Sequence, residues 1–238
     1  DLDGATEAVI TAETTLTQED YYIAKGLVDA LSEGEDRTNL LNRLEAVKAQ
    51  IDINSQIAKA TEAVVTAETT LSQEDYNIAK ALVDTLPESE GKTNLLTRLE
   101  AVKAQIGHNN QVLVATEAVV KAERNLTQED YAIAKDLVDT LPDGEDKTNL
   151  LARLEVVKNR IDHNNQVLIA TEAVAKAETT LTQEDYDIAK GLVDILLEGE
   201  DKTNLLARLE AVKAQINLAN QIVIATETVV KAETTLTQ

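Results

Sequence analysis

The feature that most constrains this chain is an unbroken internal repeat of constant length. The block Ala-Thr-Glu-(Ala/Thr)-Val begins at Ala5 and recurs, without insertion or deletion, at Ala60, Ala115, Ala170 and Ala225. A fixed period of about 55 residues is typical of arrays in which one structural unit is repeated along the chain. The sequence therefore predicts four complete repeats and the first part of a fifth. Their boundaries are 5–59, 60–114, 115–169, 170–224 and 225–238.

The amino-acid composition limits which hydrophobic cores the chain can form and which partners it can bind. Aromatic residues make up 2% of the 238 residues, so we expect several small cores of Leu, Val, Ile and Ala rather than one large core. The chain has no cysteine, which excludes disulfides, thiol chemistry and Cys-ligated metals. With 43 acidic and 22 basic side chains the net charge is −21, which opposes binding to nucleic acid or to anionic lipid.

No apolar run approaches the roughly 18 residues of a membrane-spanning helix, so we expect no membrane insertion. The chain opens at Asp1 without an initiator Met or a signal segment. We therefore expect a mature piece or a fragment of a longer protein.

Each repeat reads as three helical stretches, and the junction between the first two has a clear signature. The first stretch ends at a leucine, followed by Thr or Ser three residues before an Asp, which is a capping box with Asp in place of Glu. The leucine and the tyrosine after the Asp occupy the positions of a hydrophobic staple. This structural role accounts for the Gln-Glu-Asp-Tyr motif without catalysis by its paired carboxylates. The predicted capping and staple residues are Leu16, Thr17, Asp20 and Tyr21; Leu71, Ser72, Asp75 and Tyr76; Leu126, Thr127, Asp130 and Tyr131; and Leu181, Thr182, Asp185 and Tyr186.

The second helix ends at an acidic loop containing Gly or Pro, and the third has no evident stop at the repeat boundary. Two alternatives remain open there, one long helix through the boundary or two helices with a kink. The first is favoured because the apolar residues form one face before the boundary and another face, about 150° round, after it. These two sets are Leu95, Leu99, Val102 and Ile106, then Val112, Ala115, Val119, Ala122 and Leu126. We therefore predict an all-α fold of tandem three-helix bundles in a spectrin-like elongated array, with helix 3 of each repeat running into helix 1 of the next.

Catalytic and metal-binding patterns are weak. His108 and His163 occupy the same position in adjacent repeats, each without a second His or Cys within helical reach, so we expect no metal site there. The acidic loop around Asp143 has oxygen donors suited to calcium, but the second repeat breaks this pattern and no EF-hand loop occurs. No serine stands beside a histidine, and near-identical repeats do not create one distinct active site. We expect a protein that is not an enzyme and needs no cofactor.

Two further hypotheses concern partners. Asn and Arg positions that stay fixed among the repeats, although they lie off the predicted core, are candidates for a binding face repeated in each bundle; capping and salt bridging are the structural alternative. They are Asn39, Arg43, Asn94, Arg98, Asn149, Arg153, Asn204 and Arg208. The incomplete fifth repeat leaves Val229, Val230 and Leu236 without partners of their own, which favours self-association.

The repeat unit, from Ala-Thr-Glu-Ala-Val through Leu-Thr-Gln-Glu-Asp-Tyr to Lys-Thr-Asn-Leu-Leu-x-Arg-Leu-Glu-x-Val, resembles tandem three-helix repeats of Gram-positive bacterial surface and cell-wall proteins. It is also similar in layout to helical bundles of some S-layer proteins. The resemblance implies an extracellular location on the bacterial surface and a role as a spacer or adhesin stalk. The alternatives are a multivalent module that binds a host protein or a cell-wall polymer, or a subunit that assembles with itself. No binding residue is carried over, because no binding motif is matched.

Overall fold

The computed structural model describes residues 1–236, which form nine α-helices joined by short loops. No strand occurs in this part of the chain, so the all-α prediction is confirmed. Residues 237 and 238 of the predicted fifth repeat, and the side chain of Leu236, lie outside the described part. The helices are α1 (Leu2–Thr15), α2 (Gln18–Asp29), α3 (Glu35–Thr70), α4 (Gln73–Asp84), α5 (Glu90–Asn125), α6 (Gln128–Asp139), α7 (Glu145–Thr180), α8 (Gln183–Asp194) and α9 (Glu200–Leu236).

The predicted repeat boundaries fall inside long, unbroken helices. Helices α3, α5 and α7 each have 36 residues, which corresponds to about 54 Å of helix. Gly107 lies within α5 and does not end it. The third helix of one repeat therefore continues as the first helix of the next, as predicted.

The residue that follows each first helix is a leucine in the left-handed conformation, a feature that the sequence did not predict. Leu16, Leu71, Leu126 and Leu181 have φ values of 50° to 53°, a region that favours glycine because other side chains crowd the following carbonyl. The backbone N–H of Leu16 donates to the carbonyl of Ala12 at 2.9 Å, and the same bond closes the other three helices. This turn brings Thr17, or its equivalent, directly to the start of the next helix.

Residues 1–110 form one compact unit that contains two hydrophobic cores. The first core lies between α1, α2 and the first half of α3, and the second lies between the other half of α3, α4 and the first half of α5. The first consists of Ala5, Val9, Ala12, Ala24, Val28, Leu40, Leu44, Val47 and Ile51. The second consists of Ala60, Val64, Ala67, Ala79, Val83, Leu86, Leu95, Leu99, Val102 and Ile106.

The chain from Gln111 onward forms a second compact unit, also with two cores. The third core is built from Ala115, Val119, Ala122, Ala134, Val138, Leu141, Leu150, Leu154, Val157 and Ile161. The fourth is built from Ala170, Val174, Ala177, Ala189, Val193, Leu196, Leu205, Leu209, Val212 and Ile216. Each core lies within one predicted repeat, while independent folding of each repeat stays a prediction.

In all four cores, each of the three helices contributes the same types of residue. The first helix supplies Ala, Val and Ala, the second supplies Ala and Val, and the third supplies two Leu, a Val and an Ile. Small residues allow two helices to approach closely while the larger side chains of the third fill the space between them. Leu154, at 1% exposure, is one such central side chain.

Candidate functional site

The predicted N-caps form, although the aspartates bond differently from an ordinary capping box. The hydroxyl of Thr17 accepts a hydrogen bond from the backbone N–H of Asp20 at 3.2 Å, which satisfies a free donor at the start of α2. The Asp20 carboxylate does not reach back to the Thr17 backbone. Its Oδ2 accepts from the hydroxyls of Thr15 at 2.6 Å and Thr17 at 2.8 Å. The same N-cap bond occurs at Ser72, Thr127 and Thr182.

The predicted staple residues lie beside the cores. Leu16 and Tyr21 pack against the first core, and their equivalents pack against the second and third. In the fourth repeat Tyr186 packs against the core, whereas Leu181 is 36% exposed. These residues therefore shape the junction between helices, and Leu16 and Leu71 each line a shallow surface groove.

The four arginines proposed for a binding face are engaged within their own bundle. The Nε and Nη2 of Arg43 donate to the two carboxylate oxygens of Glu13 at 2.8 and 2.7 Å. The same two-point ion pair joins Arg98 to Glu68, Arg153 to Glu123 and Arg208 to Glu178. Hydrogen bonding from Arg43 holds the pKa of the Glu13 carboxyl below its usual value. Salt bridging between the first and third helices thus accounts for the invariance of these arginines.

The four asparagines differ from the arginines. Asn39, Asn94, Asn149 and Asn204 are exposed in the early turns of the long helices. Their side chains form no hydrogen bond with any other residue in the range 1–236. They lie one turn before the arginines, and their part in a binding face stays a prediction.

The sequence analysis missed a lysine whose hydrogen bonds hold the loop between the second and third helices. The ammonium of Lys147 donates to the carbonyls of Asp139 and Leu141 at 3.1 and 2.9 Å, and pairs with Asp143 at 3.1 Å. Lys92 and Lys202 make the equivalent contacts in their repeats. The first repeat has Arg37 here, and its buried Nε lacks a hydrogen-bond partner among the described residues. The pairing of Asp143 with Lys147 gives the acidic loop a structural role, and the calcium-ligand alternative stays a hypothesis.

Replacing Lys147 by methionine should destabilise the third repeat by about 1–2 kcal/mol, because the carbonyls of Asp139 and Leu141 lose a charged donor. Methionine keeps the aliphatic stem. The free energy of unfolding in urea measures the effect. Lys135→Met is the matched control, since Lys135 pairs with Asp139 at the surface and should matter less. Equal losses in the two variants would contradict the role of the carbonyl contacts.

A second missed feature is a shallow groove between the first and second helices of a repeat. In the first repeat its walls include Glu7, Thr11, Asp20 and Ile23. The second repeat has the equivalent residues Glu62, Thr66, Asp75 and Ile78. The invariant isoleucine is about half exposed in every repeat, with values of 54% at Ile23, 51% at Ile78, 48% at Ile133 and 51% at Ile188. Its invariance among repeats is the signal that the sequence analysis overlooked.

The last part of α9 exposes the side chains that are buried in the complete repeats. Val9, Val64, Val119 and Val174 are fully buried, whereas the equivalent Val229 is 56% exposed. Val230 is 52% exposed, and residues 217–235 are exposed throughout. This stretch therefore presents an uncovered apolar face in the described chain.

Within residues 1–236, no three His, Asp or Glu side chains come together in an arrangement able to hold a metal ion. No helix of this range is both long and apolar enough to cross a bilayer. In the same range the Nδ1 of His163 is buried without a hydrogen-bond partner, a feature for which we have no physical account.

Acid should reduce the contribution of the Arg–Glu pairs to stability. Hydrogen bonding from Arg153 lowers the pKa of the Glu123 carboxyl in the folded chain, so the pair stabilises the fold fully above the unfolded pKa of about 4.3. That contribution is lost as the pH falls through the lowered folded pKa. The difference in unfolding free energy between the native chain and Glu123→Gln should therefore be constant from pH 7 to 5 and shrink below about pH 4. A difference that grows in acid would show the opposite linkage.

The fold defines a class of protein, an acidic array of tandem three-helix bundles that share long helices. No protein-family model and no solved structure matches the chain. The chain is similar to the minor extracellular protease Epr of Bacillus subtilis (strain 168), with 33% identity over 190 residues. The match covers 80% of this chain and 28% of the protease, so the chain spans less than a third of that relative's length.

Proposed function

We propose that this chain is a non-catalytic structural region that acts as an extended spacer in an extracellular bacterial surface protein. The observation that carries the proposal is the sharing of single helices by successive cores. Helix α3 supplies Leu44 to the first core and Val64 to the second, and α7 supplies Leu154 to the third core and Val174 to the fourth. A helix that is continuous between two cores leaves no flexible linker between them.

The surface chemistry supports the same role. A net charge of −21 gives a self-repelling, well-solvated coat that opposes aggregation of an array with much exposed surface. The named relative is extracellular and is much longer than this chain, which fits a spacer region attached to other parts of a secreted protein. Its protease activity is a property of that whole protein, and we propose no catalysis for the residues described here.

Small-angle scattering combined with light-scattering mass tests the spacer proposal. A compact globule of this length should have a radius of gyration of about 18 Å. An array of four bundles in line, on the order of 100 Å long, should give about 30 Å or more. The compact value at monomer mass would overturn the spacer and favour bundles that fold back on one another.

Self-association is the second candidate, favoured by the uncovered apolar face around Val229 and Val230. The same light-scattering measurement over a range of concentrations tests it. A mass that rises with concentration, and returns to the monomer value in a Val229→Asp/Val230→Asp variant, would favour an assembling subunit. A constant monomer mass would exclude this candidate.

A further inference from the structure

The four capping aspartates share the same hydrogen bond at carboxylate oxygen Oδ2 but differ in the contacts of the second oxygen, Oδ1. In every repeat Oδ2 accepts from the N-cap hydroxyl. In the third and fourth repeats Oδ1 also binds the ammonium of a lysine on the first helix. Lys121 reaches Asp130 and Lys176 reaches Asp185, each at 2.8 Å.

The first and second repeats lack this lysine. Thr11 and Thr66 stand at its position, and each hydroxyl bonds a carbonyl of its own helix, at 3.0 Å to Glu7 and 3.1 Å to Glu62. Within the described chain, Oδ1 of Asp20 and Oδ1 of Asp75 therefore have no hydrogen-bond partner. Asp130 is 8% exposed beneath its lysine, while Asp20, Asp75 and the lysine-bound Asp185 are half-buried. The chain itself thus shows that this carboxylate accepts an ammonium group from the groove side.

An apolar surface lies next to the open carboxylate. Ile23 follows Asp20 by three residues, hence on the same side of the helix, and Ile78 follows Asp75 in the same way. The neighbouring position varies freely among the repeats and holds Tyr22, Asn77, Ala132 or Asp187, while the isoleucine is constant. Each groove therefore combines one anionic acceptor, a second carboxylate from Glu7 or Glu62, and an exposed aliphatic side chain.

We propose that the grooves of the first and second repeats each bind a lysine side chain of a partner polypeptide, with an adjacent aliphatic residue resting on Ile23 or Ile78. The ammonium takes the position that Lys121 fills in the third repeat. Lysine suits the site better than arginine because one carboxylate oxygen is open, and guanidinium binds best to two. In the third and fourth grooves the chain's own lysines occupy this Oδ1 acceptor.

Two open grooves in one compact unit allow bivalent binding. A single exposed ion pair is weak, so one groove alone should bind with low affinity, whereas a partner with two suitably spaced lysines gains from avidity. Lys59 lines the second groove, where the first has Gly4. The first groove should therefore be the stronger of the two, because its cation meets no like charge.

Methyl NMR of the full chain, labelled at isoleucine, tests this proposal with the peptide acetyl-Leu-Lys-Leu-amide as the probe. We expect saturable shifts of Ile23 and Ile78 and much smaller shifts of Ile133 and Ile188, with loss of the response in 0.5 M salt. The matched peptide acetyl-Leu-Gln-Leu-amide should produce none of these shifts.

Exchanging the groove residues between repeats provides the decisive variants. Thr11→Lys/Thr66→Lys introduces the lysine that the other two repeats carry and should abolish the shifts of Ile23 and Ile78. Lys121→Thr/Lys176→Thr should open the other grooves and create saturable shifts at Ile133 and Ile188. Equal shifts at all four isoleucines in the native chain, shifts that survive Thr11→Lys/Thr66→Lys, or no shift at millimolar peptide would each overturn the proposal.

Discussion

Replacing Leu154 by alanine should destabilise the third core by about 3–5 kcal/mol, the cost of removing a fully buried leucine side chain and leaving a cavity. Leu154 is 1% exposed and lies among Val119, Val138 and Val157 in that core. A repeat of about 55 residues is only marginally stable, so the third core should unfold locally more often than the other cores. Hydrogen exchange read by mass spectrometry should show the largest loss of protection between residues 115 and 161.

The control for Leu154→Ala lies two residues away on the same helix. Val156 is 59% exposed, and the equivalent residue in the other repeats is Ala46, Ala101 or Ala211. Val156→Ala therefore restores the common residue at an exposed site and should leave stability nearly unchanged. In Leu154→Ala, exchange should also rise somewhat in the fourth core, which shares α7, and least in residues 1–110. A uniform rise over the whole chain would contradict a locally formed core.

The helices and cores followed from the sequence because their signals are local. A period of 3.6 residues identifies which side chains share a helix face, and the predicted set from Leu95 to Ile106 lies in the second core. The set beginning at Val112 lies beside or within the third core. The cap bond at Thr17 spans three residues, so its residue types alone indicate where α2 begins.

The side-chain contacts between helices could not be predicted in this way. Arg43 and Glu13 are 30 residues apart, and their two-point pairing depends on the spacing and rotation of α1 against α3. Lys121 is another example, because sequence spacing favours a pair with Glu117 one turn earlier, yet its ammonium binds Asp130 on the neighbouring helix. The open grooves of the first two repeats become visible only once that contact is known.

The left-handed leucines show a different limit of sequence analysis. Rules for helix ends favour Gly or Asn at such positions, because these residues tolerate positive φ. Leu71 occupies the position nevertheless and packs against the second core. Partial burial of the Leu71 side chain offsets part of the cost of its backbone conformation, and this contribution depends on the tertiary structure.

Replacing Gln111 by proline should break α5 at the repeat boundary while leaving the cores on either side folded. Proline removes the backbone N–H that bonds the carbonyl four residues earlier, and its ring clashes with that carbonyl, at a cost of about 3 kcal/mol. Gln111 is exposed and lies between Ile106, the last buried residue of the second core, and Ala115, the first of the third. The damage should therefore be confined to about one helical turn.

Circular dichroism and hydrogen exchange on Gln111→Pro, with Gln111→Ala as the control, distinguish two kinds of array. If the bundles are stabilised mainly by their own cores, ellipticity falls by about one turn of helix and protection persists in residues 57–102 and 115–161. If stability depends on helix continuity, both segments lose protection together, because each core is then stabilised by its neighbour through the unbroken helix α5. The composition of the cores favours the first outcome, since all ten buried residues of the second core and all ten of the third belong to their own repeat. Cooperative unfolding of both segments would show that the repeat is a unit of sequence and not a unit of folding.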